Sequence, residues 1–168
     1  LLLKHKWYVT GNNENCHYAA RSATMKNGKR GRIHMHRVVI NVPENLLVDH
    51  INRNKLDNRK ANLRPATTAQ NTCNQAKRKS NNLSSKYKGV TWQRGINCWQ
   101  SQIGVNGNTI YLGSFDSEIR AAKAYDRAAR MYHKEFAVLN FPERKRPLSC
   151  IVPLIAGVLL TYFVYFSN

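Results

Sequence analysis

The chain has 168 residues, 27 Lys plus Arg against 9 Asp plus Glu, and a formal charge of +18. At roughly 150 residues per domain, that length suits one ordinary domain or two small ones and excludes a large enzyme core. Hydrophobic residues make up 42%, too many for a disordered basic tail, so the charge belongs to a folded surface matched to a polyanion. Residues 1–80 hold 16 basic and 4 acidic side chains, residues 81–146 hold 11 and 5, and no charge follows Pro147. The chain starts on Leu1 and shows no signal peptide, which reads as an incomplete start. Cys16, Cys73, Cys98 and Cys150 form no C-x-x-C pair. That argues against a zinc finger and for reduced, structural thiols in an intracellular protein.

In chain order, Val38-Val39-Ile40 and Leu46-Leu47-Val48 are short apolar runs that suit a strand or a buried helix equally. Thr67 and Gln70 have capping-box spacing, so a helix starts there and runs toward Ala76. A polar stretch, 79–85, reads as a linker. Tyr87–Trp92 and Trp99–Val105 are rich in β-branched and aromatic residues. Asn106-Gly107 between Trp99–Val105 and Thr109–Leu112 is a hairpin signature, because both residues tolerate positive φ. Over Glu118–Lys134, Ala121, Ala122, Tyr125, Ala128, Ala129 and Tyr132 recur at helical spacing. A three-stranded sheet crossed closely by one small-faced helix is predicted for this part.

The chemistry concentrates between Met35 and Asn71. Hydrolysing a phosphodiester needs a base to activate water, a cation to stabilise the leaving oxygen, and a scaffold holding both in line. His50 suits the base, since imidazole titrates near neutral pH. Asp49 and Asn71 offer hard oxygen ligands for Mg²⁺ or Mn²⁺, and Asn62 suits a loop-orienting hydrogen-bond role. Arg37, Arg53, Arg59 and Arg64 are candidate phosphate contacts around this set. His5, His17, His34 and His133 stand outside any such pattern.

With His36-Arg37, Val48-Asp49-His50, Asn62-Leu63-Arg64 and Asn71 in that order, the segment Trp7–Lys77 resembles the HNH endonuclease family, in its phage and intron homing branch. The resemblance implies a ββα-metal fold, with His50 as general base, Asp49 and Asn71 holding one divalent cation, and Asn62 as the central Asn. It also implies that the chain starts inside the family's N-terminal strands. A second resemblance rests on Tyr87-Lys88-Gly89-Val90, Trp99–Ile103, Tyr111–Asp116, Ala121–Ala129 and Leu139-Asn140-Phe141-Pro142. Together these are similar to the plant Apetala/ethylene-response-factor DNA-binding domain over about Lys86–Pro142. That family docks its sheet in the major groove, where side chains reach base edges. Lys88, Gln102 and Tyr111 stand where the plant domains place contacting Arg, Glu and Trp. Thr91, Gln93, Gly104 and Thr109 replace further Arg positions, which implies a looser target preference. Lys88, Trp92, Arg94, Gln102 and Tyr111 are the expected DNA contacts, while Trp99 is expected to pack in the core.

The expected architecture is therefore α+β: an HNH module over 1–78, a linker over 79–85, and an Apetala-type module over 86–142. A basic cluster and apolar tail follow over 143–168. The tail holds 17 uncharged residues, Cys150–Phe166, at the lower edge of a bilayer span. It reads as an appended or frame-shifted end, a membrane anchor or a packing helix; only the anchor would make a membrane a partner. Double-stranded DNA is the expected partner, with no small-molecule cofactor, and nothing in the sequence sets an oligomeric state. The leading function is a DNA endonuclease of homing type, and the alternative is a non-catalytic DNA-binding protein of transcription-factor type.

Overall fold

A computed structural model describes residues 2–11, 17–78, 80 and 83–143. The apolar tail, the basic cluster at 144–147, Cys16, and positions 79, 81 and 82 of the expected linker lie outside the described residues.

The chain opens with an antiparallel meander, β1 (Tyr8–Thr10), β2 (Tyr18–Thr24) and β3 (Arg30–His34), in that spatial order. The turn between β2 and β3 is built on Asn27-Gly28. Gly28 takes φ +75 and donates to the Met25 carbonyl at 2.9 Å, while Asn27 Oδ1 accepts from the Lys29 N–H at 3.1 Å. The β2–β3 register pairs Ala20 with His34, which carries the chain straight into α1 (Met35–Val39). The ambiguous Val38-Val39-Ile40 run is thus the end of a short helix, whereas Leu46–Val48 leads into a strand, β4 (Leu47–His50).

β4 pairs antiparallel with β5 (Leu63–Ala66), and α2 (Thr68–Cys73) follows at once. The capping box is present. Thr67 Oγ1 accepts from the Gln70 N–H at 3.2 Å, and Gln70 Oε1 accepts from the Thr67 N–H at 2.8 Å. Reciprocal capping of two orphan donors is what lets so short a helix start cleanly. It stops at Cys73, short of the expected Ala76.

The C-terminal part holds β6 (Val90–Gln93), β7 (Cys98–Val105) and β8 (Asn108–Phe115) in one antiparallel sheet, crossed by α3 (Glu118–Tyr132). Asn106 and Gly107 take φ +51 and +82 at the hairpin that their sequence predicts. Ile103, Tyr125, Ala128 and Ala129 form one core cluster, and Val90, Ala121 and Ala122 form a second, against which Trp99 packs. The alanine stripe lets α3 lie close to the sheet. Asp126, 3% exposed, accepts from the backbone N–H groups of Asn140 and Phe141, both at 2.8 Å, and so fastens the return of the chain onto α3.

The protein is thus a mixed α/β structure of small antiparallel sheets and few helices, as expected at that level. No helix among the described residues is long and apolar enough to cross a membrane.

Candidate catalytic site

β4 ends on Asp49 and His50, and both are buried, at 4% and 5% exposure. Asp49 stands opposite Arg64 in the β4–β5 register, and Arg64 Nε donates to its Oδ2 at 2.8 Å. From the helix side, Asn74 Nδ2 donates to Asp49 Oδ1 and to the His50 carbonyl, both at 2.8 Å. Asn74 is the C-cap of α2, so Asn71 lies one turn earlier on the same face. Asn71 is half-buried, and its side-chain amide has no partner among the described residues.

The loop from Ile51 to Asn62 closes over His50. Asn62 locks it: its Oδ1 accepts from the Asn52 N–H at 2.9 Å, and its Nδ2 donates to Asn52 Oδ1 at 2.9 Å and to the Asp57 carbonyl at 2.8 Å. Asn52 and Asn54 each accept from the backbone N–H two residues on, so the loop is a run of Asx turns. Within it, Asn58 Nδ2 donates to the Leu56 carbonyl, which turns Asn58 Oδ1 toward His50 Nε2 at 3.3 Å. An acceptor at that distance selects the Nε2–H tautomer and leaves the Nδ1 lone pair of His50 to take a proton.

His50 does not stand alone. Its ring lies 5.3 Å from His36, edge to face, and 6.4 Å from Tyr18, while His34 sits 5.3 Å from His36. Burial lowers the His50 pKa, and the hydrogen bond to Asn58 and the negative charges of Asp49 and Asp57 only partly oppose it. Burial also lowers His36, to about 4, helped by the charges of His50, His34 and Arg37. The cluster is therefore neutral at neutral pH, the state a proton acceptor needs.

Among the described residues, no group of three or more His, Cys, Asp or Glu is arranged to hold a metal. The donors that are present fit a hard divalent cation of the Mg²⁺ or Mn²⁺ kind, which takes few protein oxygens and keeps its waters. A carboxylate offers about four acceptor sites, of which Asp49 uses two among the described residues, and the Asn71 amide oxygen has no partner among them.

The basic and aromatic candidates separate. Arg37, Arg53 and Arg94 are exposed, with Arg37 donating to the Leu46 carbonyl at 3.1 Å. Arg59 is exposed but forms a two-pronged pair with Asp57, at 2.8 and 2.7 Å. Gln102 and Tyr111 are cross-strand partners on the outer face of the C-terminal sheet, both exposed. Three expected contacts are placed differently. Arg64 is 15% exposed and held by Asp49. The Lys88 ammonium is drawn inward onto the Cys73 and Gln75 carbonyls, at 2.8 and 2.6 Å, and this burial lowers its pKa. Trp92 pairs with Trp99, with ring centroids 4.9 Å apart, on the helix side of the sheet and away from Gln102 and Tyr111.

Asn58, Asn74 and Tyr18 were not singled out by sequence reasoning, and His36 entered only as part of the His36-Arg37 motif. Asn74 had a signal, its i,i+3 spacing from Asn71 on a capped helix. Asn58 had none, since only the fold of the loop brings it to His50.

A family model described as HNH endonuclease matches residues 35–73. A protein described as an HNH endonuclease of Acanthamoeba polyphaga mimivirus is 30% identical over 146 residues, covering 83% of this chain and 69% of that protein. The APETALA2-like protein 2 of Oryza sativa is 47% identical over 58 residues, covering 34% of this chain and 13% of its own length. The AP2-like ethylene-responsive transcription factor TOE2 of Arabidopsis thaliana matches equally well, over 12% of its length. The plant matches fall in the C-terminal region.

Proposed function

The chain belongs to the HNH endonuclease family, and from that premise we propose that it is a metal-dependent DNA endonuclease of homing type. In this reading residues 1–78 cut, the β4–β5 hairpin and α2 form the ββα-metal unit, and residues 86–142 bind double-stranded DNA. The observation that carries it is the juxtaposition at the end of β4. A buried, neutral His50 stands beside an Asp49 that α2 touches one turn from Asn71.

The chemistry follows from those groups. His50 Nδ1 accepts a proton from water as the water oxygen attacks phosphorus and the sugar oxygen departs. Asn58 holds the tautomer that leaves Nδ1 free, and Asn62 holds the loop that carries Asn58. Asp49 and Asn71 would hold one Mg²⁺ or Mn²⁺, which supplies Lewis-acid stabilisation of charge at the phosphate and the departing oxygen. Arg53, Arg94 and the exposed Arg37, which spends one N–H on the Leu46 carbonyl, are placed to meet phosphates, and Gln102 and Tyr111 face outward as a base-reading surface would.

One observation favours the second reading, a non-catalytic DNA binder: both Asp49 oxygens already have protein donors. The test is incubation of the full chain with supercoiled plasmid and Mg²⁺ or Mn²⁺, beside His50→Ala and a chelator control. Nicked or linear product that vanishes in both controls supports the endonuclease. Retarded but uncut DNA with every metal, on a substrate carrying its target, replaces it with the binder.

A further inference from the structure

Three basic side chains tie the N-terminal part to the C-terminal sheet-and-helix unit, and each ends on backbone carbonyls across the junction. Lys77 Nζ donates to Tyr87 O at 2.7 Å and Val90 O at 3.2 Å. Lys88 Nζ donates back to Cys73 O and Gln75 O at the end of α2. Arg64 makes the third link, and it alone also touches the candidate site. Its Nε donates to Asp49 Oδ2 at 2.8 Å, its Nη1 donates to the Glu135 carbonyl at 2.8 Å, and its guanidinium carbon lies 3.6 Å from the centre of the Phe136 ring.

Resting on the endonuclease reading, we propose that Arg64 is a positioning residue through which the C-terminal unit completes the cleavage site. The Glu135 carbonyl and Phe136 ring set the guanidinium, and the guanidinium sets the Asp49 carboxylate. The guanidinium is rigid and planar, so donors on two of its edges couple the positions of the two acceptors they meet. Stacking on Phe136 fixes the remaining freedom, rotation of that plane. Phe136 is itself 5% exposed, in a 3-10 turn (Lys134–Phe136) that contacts α2, so it is a firm platform. A lysine at 64 would reach Asp49 or Glu135 as a point donor and fix neither orientation. The unit that resembles plant DNA-binding domains is therefore a wall of the site as well as a tether to DNA.

The test uses the full chain with Arg64→Lys and Phe136→Leu, the second keeping apolar bulk and removing the ring. Three quantities are read: Mn²⁺ binding without DNA by electron paramagnetic resonance, DNA affinity in chelator, and kcat and KM for plasmid nicking. Loss of an outer-shell partner of a metal ligand typically costs roughly 10–100-fold in metal affinity or activity. Both variants are expected to bind Mn²⁺ and turn over at least about tenfold more weakly, with KM and chelator-state DNA affinity within about twofold of wild type. Unchanged Mn²⁺ binding and kcat in Phe136→Leu overturn the proposal, as does a loss confined to DNA affinity. If Phe136→Leu does not fold, Arg64→Lys decides by the same criteria. A wild type that binds Mn²⁺ but never cuts sinks the endonuclease reading, while the Mn²⁺ titrations still judge the role of Arg64. A wild type that does neither sinks both.

Discussion

Replacing Asn62 by Ala removes three hydrogen bonds at once and unlocks the loop that carries Asn58 to His50. Each such bond contributes about 0.5–1.5 kcal/mol net, so their joint loss destabilises the fold by about 3 kcal/mol. The side chain is 9% exposed, and its partners Asn52 and Asp57 lie near the loop rim, where water can replace part of what is lost. That keeps the cost near the bond sum rather than above it. Small domains hold about 5–15 kcal/mol in total, so the variant folds with a reduced margin. Urea denaturation followed by circular dichroism measures the change, with plasmid nicking in parallel. Asn62→Asp sharpens the test. It keeps the acceptor for Asn52 N–H but points a carboxylate oxygen at Asn52 Oδ1 and the Asp57 carbonyl, so it is expected to be no more stable than Asn62→Ala. A loss below about 1 kcal/mol in Asn62→Ala, with unchanged nicking, would refute the locking role.

Stability should also fall in acid through the histidine cluster. His36 is lowered from 6.5 to about 4 in the fold, so between those values the unfolded chain binds the extra proton. Its contribution is whole above pH 6.5 and is lost as pH drops toward 4, up to about 3 kcal/mol at ~1.4 kcal/mol per unit. His34 and His50 act in the same direction. Urea midpoints from pH 8 to pH 4.5 check this, and a flat profile contradicts it. Gly89→Ala should unfold or severely weaken the C-terminal unit. The residue takes φ +74, and a Cβ there would run into the Tyr125 ring and lie 2.6 Å from the Gln102 carbonyl oxygen. A thermal melt within about 2 °C of wild type would show that the contact relaxes cheaply.

Much was legible locally. The capping box at Thr67 and Gln70, the Asn106-Gly107 hairpin and the alanine stripe each act over a few residues, so their spacing predicts what forms. Asn27-Gly28 carries the same kind of signal for the β2–β3 turn. The family resemblances, both upheld by the comparisons, rest on such runs as well.

What the chain order could not supply is who meets whom across the fold. Arg64 and Lys88 look alike in sequence, as exposed cations that would meet DNA. The β4–β5 register instead sets Arg64 against Asp49 and under Phe136, and the packing of α2 draws Lys88 onto its last carbonyls. Trp92 faces inward because strand alternation puts it beside Trp99. Side-chain type and spacing announce which chemistry a chain can perform. Burial, register and long-range contact decide which groups remain free to perform it, because a charge taken out of water must find a partner wherever the fold offers one.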